Sequence, residues 1–334
     1  MKKRLLLAAS TLSFALPLSV YASPQVYGKL NISIESADLE GASVVNPAAE
    51  DAWELNSNAS RLGIKGDVDL DVANLKAIYQ AEFGIDVDEG NSSGQTFSQR
   101  NIFAGLQGGF GTLTAGKIDS PLKNAEGKVD QFNDLRGDID NLLGGQNRVN
   151  NLIRYETPSF SGLAVTLAAA PGEQNVDTDG DGVADDGLAD TKSIALTYQQ
   201  GIWYAALAHD QDQAARRSVD GFSRANITRV VAQIKPGDLE LGALYQRSEN
   251  AASGKGEDNS WLASAAWKIE RIKLKAQYGE TQGDQSDEKI TLAALGADYQ
   301  LAKTSRAYVY GSRTERDKAD LTDTSVGVGL EYKF

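Results

Sequence analysis

The chain has 334 residues, enough for one large domain or two modest ones, and carries 33 basic against 46 acidic residues for a formal net charge of -13. It has no cysteine, one methionine and one histidine, which excludes disulfides, thiolate chemistry and cysteine-ligated metals. The acidic balance argues against nucleic-acid binding, which needs a basic face.

Lys2, Lys3 and Arg4 precede the apolar run "LLLAASTLSFALPLSV", and Val20, Tyr21 and Ala22 offer a small-residue cleavage site. This predicts a secretory signal over 1–22 and a mature chain over 23–334. Without the leader's bases the charge falls to 30 basic against 46 acidic residues, a net of -16. Mean hydropathy is -0.36. Past the leader no run is apolar for the length a membrane helix needs.

Alternation of period two replaces helical periodicity. In "VYGKLNISIE", Leu30, Ile32 and Ile34 alternate with Lys29, Asn31, Ser33 and Glu35. In "NLKAIYQAEF", Leu75, Ala77, Tyr79, Ala81 and Phe83 share one face. The pattern predicts sixteen strands, at 26–35, 59–67, 73–85, 99–107, 110–117, 148–157, 161–170, 192–200, 202–210, 224–235, 238–247, 259–269, 271–280, 288–300, 303–313 and 323–334. The last of these ends "GVGLEYKF", with Val328, Leu330, Tyr332 and Phe334 on one parity.

Tight and long connections alternate along the whole chain. "QG" at 200–201, "KPGD" at 235–238 and "LAK" at 301–303 are tight; 36–58, 86–98, 118–147 and 171–191 are long. In an up-and-down meander that places short turns on one rim and long loops on the other, the layout of an outer-membrane barrel. Such a barrel pairs every backbone group between strands and leaves no edge in hydrocarbon. The fold class expected is therefore an all-β, transmembrane, antiparallel up-and-down β-barrel of about sixteen strands. A secreted β-sandwich would alternate too, but would not sort its loops by rim.

The blocks "SRLGIKGDVDLDVANLKAIYQAEFGIDVDEG" (60–90), "FSQRNIFAGLQGGFGTLTAGK" (97–117) and "RVNNLIRYETPSFSGL" (148–163) resemble strand blocks of Gram-negative general diffusion porins. "VYGKLNISIE" and the terminal "EYKF" are similar as well, so the resemblance runs the length of the mature chain. It implies a 16-stranded homotrimeric barrel in the outer membrane, contacting its lipid and passing small hydrophilic solutes by passive diffusion. It also implies that the third external loop, here 118–147, folds inward and narrows the lumen. Terminal Phe334 resembles the signal read by the barrel-assembly machinery.

Narrow points of selective pores carry rings of charge. In the family, wall arginines face acids of the inserted loop, and Arg61, Arg100 and Arg148 match the family's arginines. Parity adds independent support: Leu62 and Ile64 would face lipid, which turns Arg61 inward. Ile153 and Tyr155 do the same for Arg148 and Arg154, and Lys76 shares the parity of Gln80 and Glu82. At Arg100 parity is unhelpful, because Ile102, Ala104 and Leu106 share it. Among the loop's acids, Asp130, Asp134, Asp138 and Asp140 are taken as pore-facing, against Lys123, Lys128 and Arg136. The sign of ion selectivity stays open, since an acidic exterior and basic walls oppose each other.

"DTDGDGVADDG" places Asp177, Asp179 and Asp181 at positions 1, 3 and 5 of a calcium loop, with Gly182 at 6 and Asp185 at 9. Position 12 is Leu188 rather than Glu, so this is half an EF-hand loop. It predicts a weak calcium site within 173–190, the alternative being a solvated acidic loop. No cofactor is required. The only histidine, His209, lacks the partners of a catalytic group, so an enzyme is not expected. A substrate-specific channel and a surface adhesin or receptor barrel are the alternatives.

Overall fold

The computed structural model describes residues 24–41, 52–90, 95–173, 187–252 and 254–334. Residues 1–22, read as a leader, and the four aspartates of the calcium reading lie outside these residues. Seventeen strands follow in order: β1 (Gln25–Glu40), β2 (Ala52–Ser57), β3 (Arg61–Asp69), β4 (Lys76–Gly84), β5 (Ser98–Gly108), β6 (Gly111–Asp119), β7 (Arg148–Glu156), β8 (Leu163–Ala170) and β9 (Thr191–Gln200). The second half comprises β10 (Trp203–Ala214), β11 (Arg224–Ile234), β12 (Leu239–Asn250), β13 (Glu257–Ile269), β14 (Ile272–Gly283), β15 (Lys289–Ala302), β16 (Ser305–Arg316) and β17 (Leu321–Lys333).

Neighbours pair antiparallel, and β17 returns to β1 from Lys29↔Lys333 to Glu40↔Thr322, so the sheet closes. β1 also pairs with β2 (Ile32↔Ser57) and with β3 (Lys29↔Arg61). β2 and β3 are thus one wall stave, interrupted at 58–60 where Ala59 takes φ 49°, and the barrel has 16 staves. The terminal residue belongs to the closure: Gly28 N–H donates to Phe334 O at 2.9 Å and Phe334 N–H to Gly28 O at 3.1 Å. Glycine at 28 makes room, because a Cβ there would lie 2.4 Å from Phe334 Cζ.

Alternation resolves into two environments. On β1, Leu30 and Ile34 are exposed while Lys29, Asn31, Ser33 and Glu35 are buried; on β17, Val326, Val328, Leu330 and Tyr332 are exposed. The outward face is apolar and the inward face polar, as lipid outside and water inside require. Exposed aromatics form two tiers. Tyr245, Trp261 and Tyr278 mark one, Trp203, Trp267 and Tyr299 the other. Trp261 and Trp267 are six residues apart, about 20 Å along a strand, close to the depth of a barrel's apolar band.

The expected rims are present. Connections at 109–110, 201–202, 270–271 and 303–304 are tight, and those at 85–97, 120–147 and 171–190 are long. Two differences stand out. Several strands run three to five residues further on the long-loop side than alternation suggested, and β2 lies inside a stretch read as loop. In "SADLE" the acids Asp38 and Glu40 take the outward parity of Leu30 and Ile34, and in "AWELNS" Trp53 and Leu55 alternate with Glu54 and Asn56 over only six residues. Strand rising above the bilayer needs backbone pairing, not an apolar face, so its hydropathy pattern vanishes while its hydrogen bonds persist.

Candidate functional site: the charged passage between the wall and segment 120–147

β5 carries one extra residue opposite Glu82: Ala81 pairs with Ile102, but Phe83 pairs with Gln99. The bulge spans Arg100 and Asn101 and breaks the period-two phase. It turns both side chains to the polar face, which is why parity failed at Arg100. Arg100 Nε meets Glu82 Oε1 at 2.8 Å, and Tyr27 OH donates to Glu82 Oε2 at 3.0 Å. Arg148 Nε lies 3.0 Å from Asp119 Oδ1 and donates to Asn101 Oδ1 at 3.1 Å. Arg61, where β3 resumes after the break, lies 4.0 Å from Glu82 and 3.9 Å from Asp134.

The connection between β6 and β7 begins with the short helix α1 (Pro121–Asn124), capped by Ser120, whose hydroxyl accepts from Lys123 N. A 3-10 turn follows at Ile139–Asn141. Leu122, Val129, Ile139 and Leu142 pack with Ala206, Ile227, Leu244 and Leu292 of the wall, and Phe132 with Tyr308 and Tyr310. Gln277 donates to Gly137 O at 2.5 Å and Thr281 Oγ1 to Leu142 O at 2.8 Å. At its far side Arg136 binds Glu35 (3.0 Å), Asp323 (3.2 Å) and Glu54. Lys29 Nζ lies 2.5 Å from Asp134 Oδ2. One connection thus touches strands β1, β2 and β17 as well as β10 to β16.

Its acids divide by task. Asp130 accepts from Phe132 N (2.9 Å) and Ile139 N (3.2 Å), and Asp138 accepts from Asp134 N (2.6 Å) and Asp140 N (2.7 Å). They brace the segment's own backbone. Burial, with the charges of Glu126 and Asp134 adding to it, pushes Asp138 up to about 7 against the pull of its N–H donors. Burial, then Asp138 and Glu126, raises Asp130 well above the carboxylate range. Burial also raises Glu126, opposed by Arg229.

Arg61, Arg100, Arg148, Asp130 and Asp134 line one cavity of about 360 Å³, with five basic and five acidic residues. Beyond Arg61 and Asp134 it meets a second, of about 640 Å³, lined by eleven basic and five acidic residues. Lys275, Arg306, Lys273 and Lys128 belong to this basic chamber.

Lys76, Arg154, Asp138 and Asp140 line neither cavity. Lys76 pairs with Asp67 at 2.9 Å beside the β3–β4 turn, and Arg154 with Glu156 at 2.7 Å near the β7–β8 turn. Both lie toward the tight-turn rim. Each stands six residues along its strand from Glu82 or Arg148, about 20 Å away. Of the three expected wall arginines, Arg61 approaches Asp134 of the segment, Arg148 pairs with Asp119 at the start of loop 118–147, and Arg100 pairs with Glu82 of the wall. Glu82, Lys29 and Arg229 receive no role from the sequence, and Asp119 and Arg136 read there only as charges of loop 118–147. The available signal was the acid on inward parity opposite each arginine, and the apolar Ala206, Ala208 and Ile227 where a polar lumen face was due. Phe132 is fully buried beneath Lys275, whose Nζ lies 4.6 Å from its ring centroid, so it presents no aromatic face to either cavity.

A family model described as Gram-negative porin matches residues 5–319. A major outer membrane protein P.IB of Neisseria gonorrhoeae is 27% identical over 343 residues, spanning 100% of this chain and 90% of that protein. An outer membrane porin protein of Bordetella pertussis is 25% identical over 389 residues, spanning 100% of both. Among solved structures, an anion-selective porin from Comamonas acidovorans superposes with a TM-score of 0.77 at 24% identity, covering 94% of this chain and 100% of that one. The OmpF of Salmonella typhi gives 0.70 at 17% identity, covering 93% and 97%. The closed barrel, its lipid-facing band and the match along its length agree: the chain belongs to the Gram-negative porin family, and is an outer-membrane channel for passive diffusion.

Proposed function

We propose that segment 120–147 crosses the lumen and makes the passage beside Arg61, Glu82, Arg100, Asp119 and Arg148 the narrowest part of the path. The observation that carries this reading is the pair of anchorages on well-separated staves, Leu122 and Gly144 on Arg229 of β11, and Arg136 on Glu35 of β1 and Asp323 of β17. A segment bonded to both must run between them. Its apolar residues cover a wall patch that water would otherwise meet.

The narrow passage is balanced in formal charge, so selectivity is set beside it. The adjoining chamber carries six more basic than acidic residues. Charges beyond about 8 Å are screened at physiological salt. Hence this chamber outweighs the acidic exterior, and anions are favoured. Association into homotrimers through the apolar band, recognition of Phe334 by the barrel-assembly machinery, and weak calcium binding by loop 173–190 complete the reading. An enzymatic activity has no support in the charged passage, whose groups are paired structurally rather than aimed at a substrate.

Single-channel recording in a planar bilayer under a salt gradient tests it. Ohmic steps in groups of three with an anion-selective reversal potential are expected. A cation-selective potential would overturn the role given to the basic chamber, and silence from a folded barrel would overturn the open channel. Calcium titration of the folded protein, followed by loop-localised spectroscopic change, tests the aspartate loop.

A further inference from the structure

We infer that Arg229 is the positioning residue that sets how far segment 120–147 reaches across the lumen; this rests on the lumen-crossing reading above. Arg229 sits on β11 and is fully buried, with Ile227 and Val231 beside it on the same parity and equally buried. A lone guanidinium in an apolar patch is costly unless its donors are spent well. Here they are spent on the neck of the segment. Nη1 donates to Leu122 O at 3.3 Å, at the outgoing end, and Nη2 to Gly144 O at 3.0 Å, at the returning end. Nε is fixed by Gln246 Oε1 at 2.8 Å, and Gln246 itself donates to Gly144 O at 3.1 Å. Glu126 stands 3.6 Å away as counter-charge, held by Gln146 at 2.6 Å.

The sequence "LLGGQN" is shaped for this contact. A Cβ on Gly144 would lie 2.1 Å from Ala215 O, and one on Gly145, whose φ is +83°, would lie 3.1 Å from Arg229 Nη2. Bare backbone therefore reaches the guanidinium from the returning side. Tyr204, Gln233 and Thr281 each hold the segment at one point. Arg229 ties both ends to each other and to the wall. A lysine could supply the charge but not the planar fork that spans both carbonyls.

The neck fixes the direction in which the segment leaves the wall, and so the width left beside Arg61 and Arg148. Without the fork the segment keeps its outer anchors but loses a single position. The full-length protein, refolded in detergent and placed in planar bilayers, tests this with R229Q, R229K and a variant lacking residues 127–141. R229Q is expected to lose the uniform conductance level, splitting it into several sub-levels with earlier voltage-driven closure. R229K is expected to fall between R229Q and the parent, and heat-modifiability should show intact barrels in both.

An Arg229 that only stabilises the barrel would lower the unfolding temperature and leave conductance level and solute exclusion unmoved; that outcome overturns the inference. The deletion separates the two readings. If it leaves conductance unchanged, the lumen-crossing reading fails. If it enlarges conductance while R229Q behaves as the parent, only the positioning role fails. Should R229Q not fold, Gly145→Ala perturbs the same contact from the loop side. Sub-levels from G145A would support the role, and a uniform level would refute it.

Discussion

Lys29 Nζ lies 2.5 Å from Asp134 Oδ2, while Arg61 Nη1 stands 3.9 Å from the same oxygen. A wall lysine, then, is the main partner of the carboxylate that lines both cavities. Asp134→Asn should release Lys29 and Arg61 together. A unit charge about 4 Å away is worth about 1 kcal/mol even in bulk water, roughly a five-fold change in local ion ratio. The reversal potential of D134N should therefore move toward anions by up to that ratio. An unmoved potential would remove Asp134 from the conducting path.

Depth along the strand separates residues that share a face. Arg148→Ala, which removes one of the two basic partners of Asp119 in the smaller cavity, should shift selectivity toward cations. Lys76→Ala and Arg154→Ala, beside the tight turns, should leave it within error. Equal effects from all three variants would mean that the passage is not where the two cavities meet.

What was legible in the sequence followed from lipid. Where one face must be apolar, as from Leu30 to Ile34 or Val326 to Phe334, alternation located the strands and their direction. Glycine-containing turns and long loops sorted the rims. Where the two solvents no longer impose a phase, legibility ended. The tip of β1 puts Asp38 and Glu40 on its outward parity, and β2 shows its apolar pair Trp53 and Leu55 over only six residues. Arg100 stands on a bulge that only pairing with β4 reveals. Asp138 reads as a pore-facing acid in the sequence, because nothing local shows that it accepts the N–H groups of Asp134 and Asp140. Which acid meets which base is set across strands, and a single sequence does not carry it.

Arg136 tests the outer anchorage. Glu35 is 1% exposed at its side chain and accepts from Arg136 Nε at 3.0 Å and Ser33 Oγ at 2.5 Å. Removing one partner of a buried ion pair costs about 3–5 kcal/mol. Arg136 is partly open to water and Ser33 remains, so Arg136→Ala should destabilise by less, about 2 kcal/mol. The measurement is the midpoint temperature of the heat-modifiable mobility shift. Arg136→Lys, which meets one acid rather than three, should lie between. A wild-type midpoint in R136A would show that the anchorage contributes nothing.

The buried carboxyls predict an unusual dependence on pH. Burial raises Asp138 to about 7 from an ordinary value of 3.8, and raises Glu126 and Asp130 in the same direction. A carboxyl raised in the fold favours its protonated form. Its contribution to packing is complete below about pH 4 and is lost as pH rises through about 7. Segment 120–147 should thus be firmest in mild acid and loosen above neutrality, opposite to the trend of salt-bridged carboxylates. Charge changes in step: ionisation of Asp138 above pH 7 adds a negative group beside Asp134. Recording from pH 5 to 8 should show current noise rising and the reversal potential moving toward cations, with a midpoint near 7. Asp138→Asn should abolish that step, its single amide oxygen keeping one of the two N–H contacts, Asp140 N on Oδ1 or Asp134 N on Oδ2, and losing the other. A midpoint that persists in D138N would assign the titration to another group, and a flat parent profile would show that Asp138 is already ionised across this range.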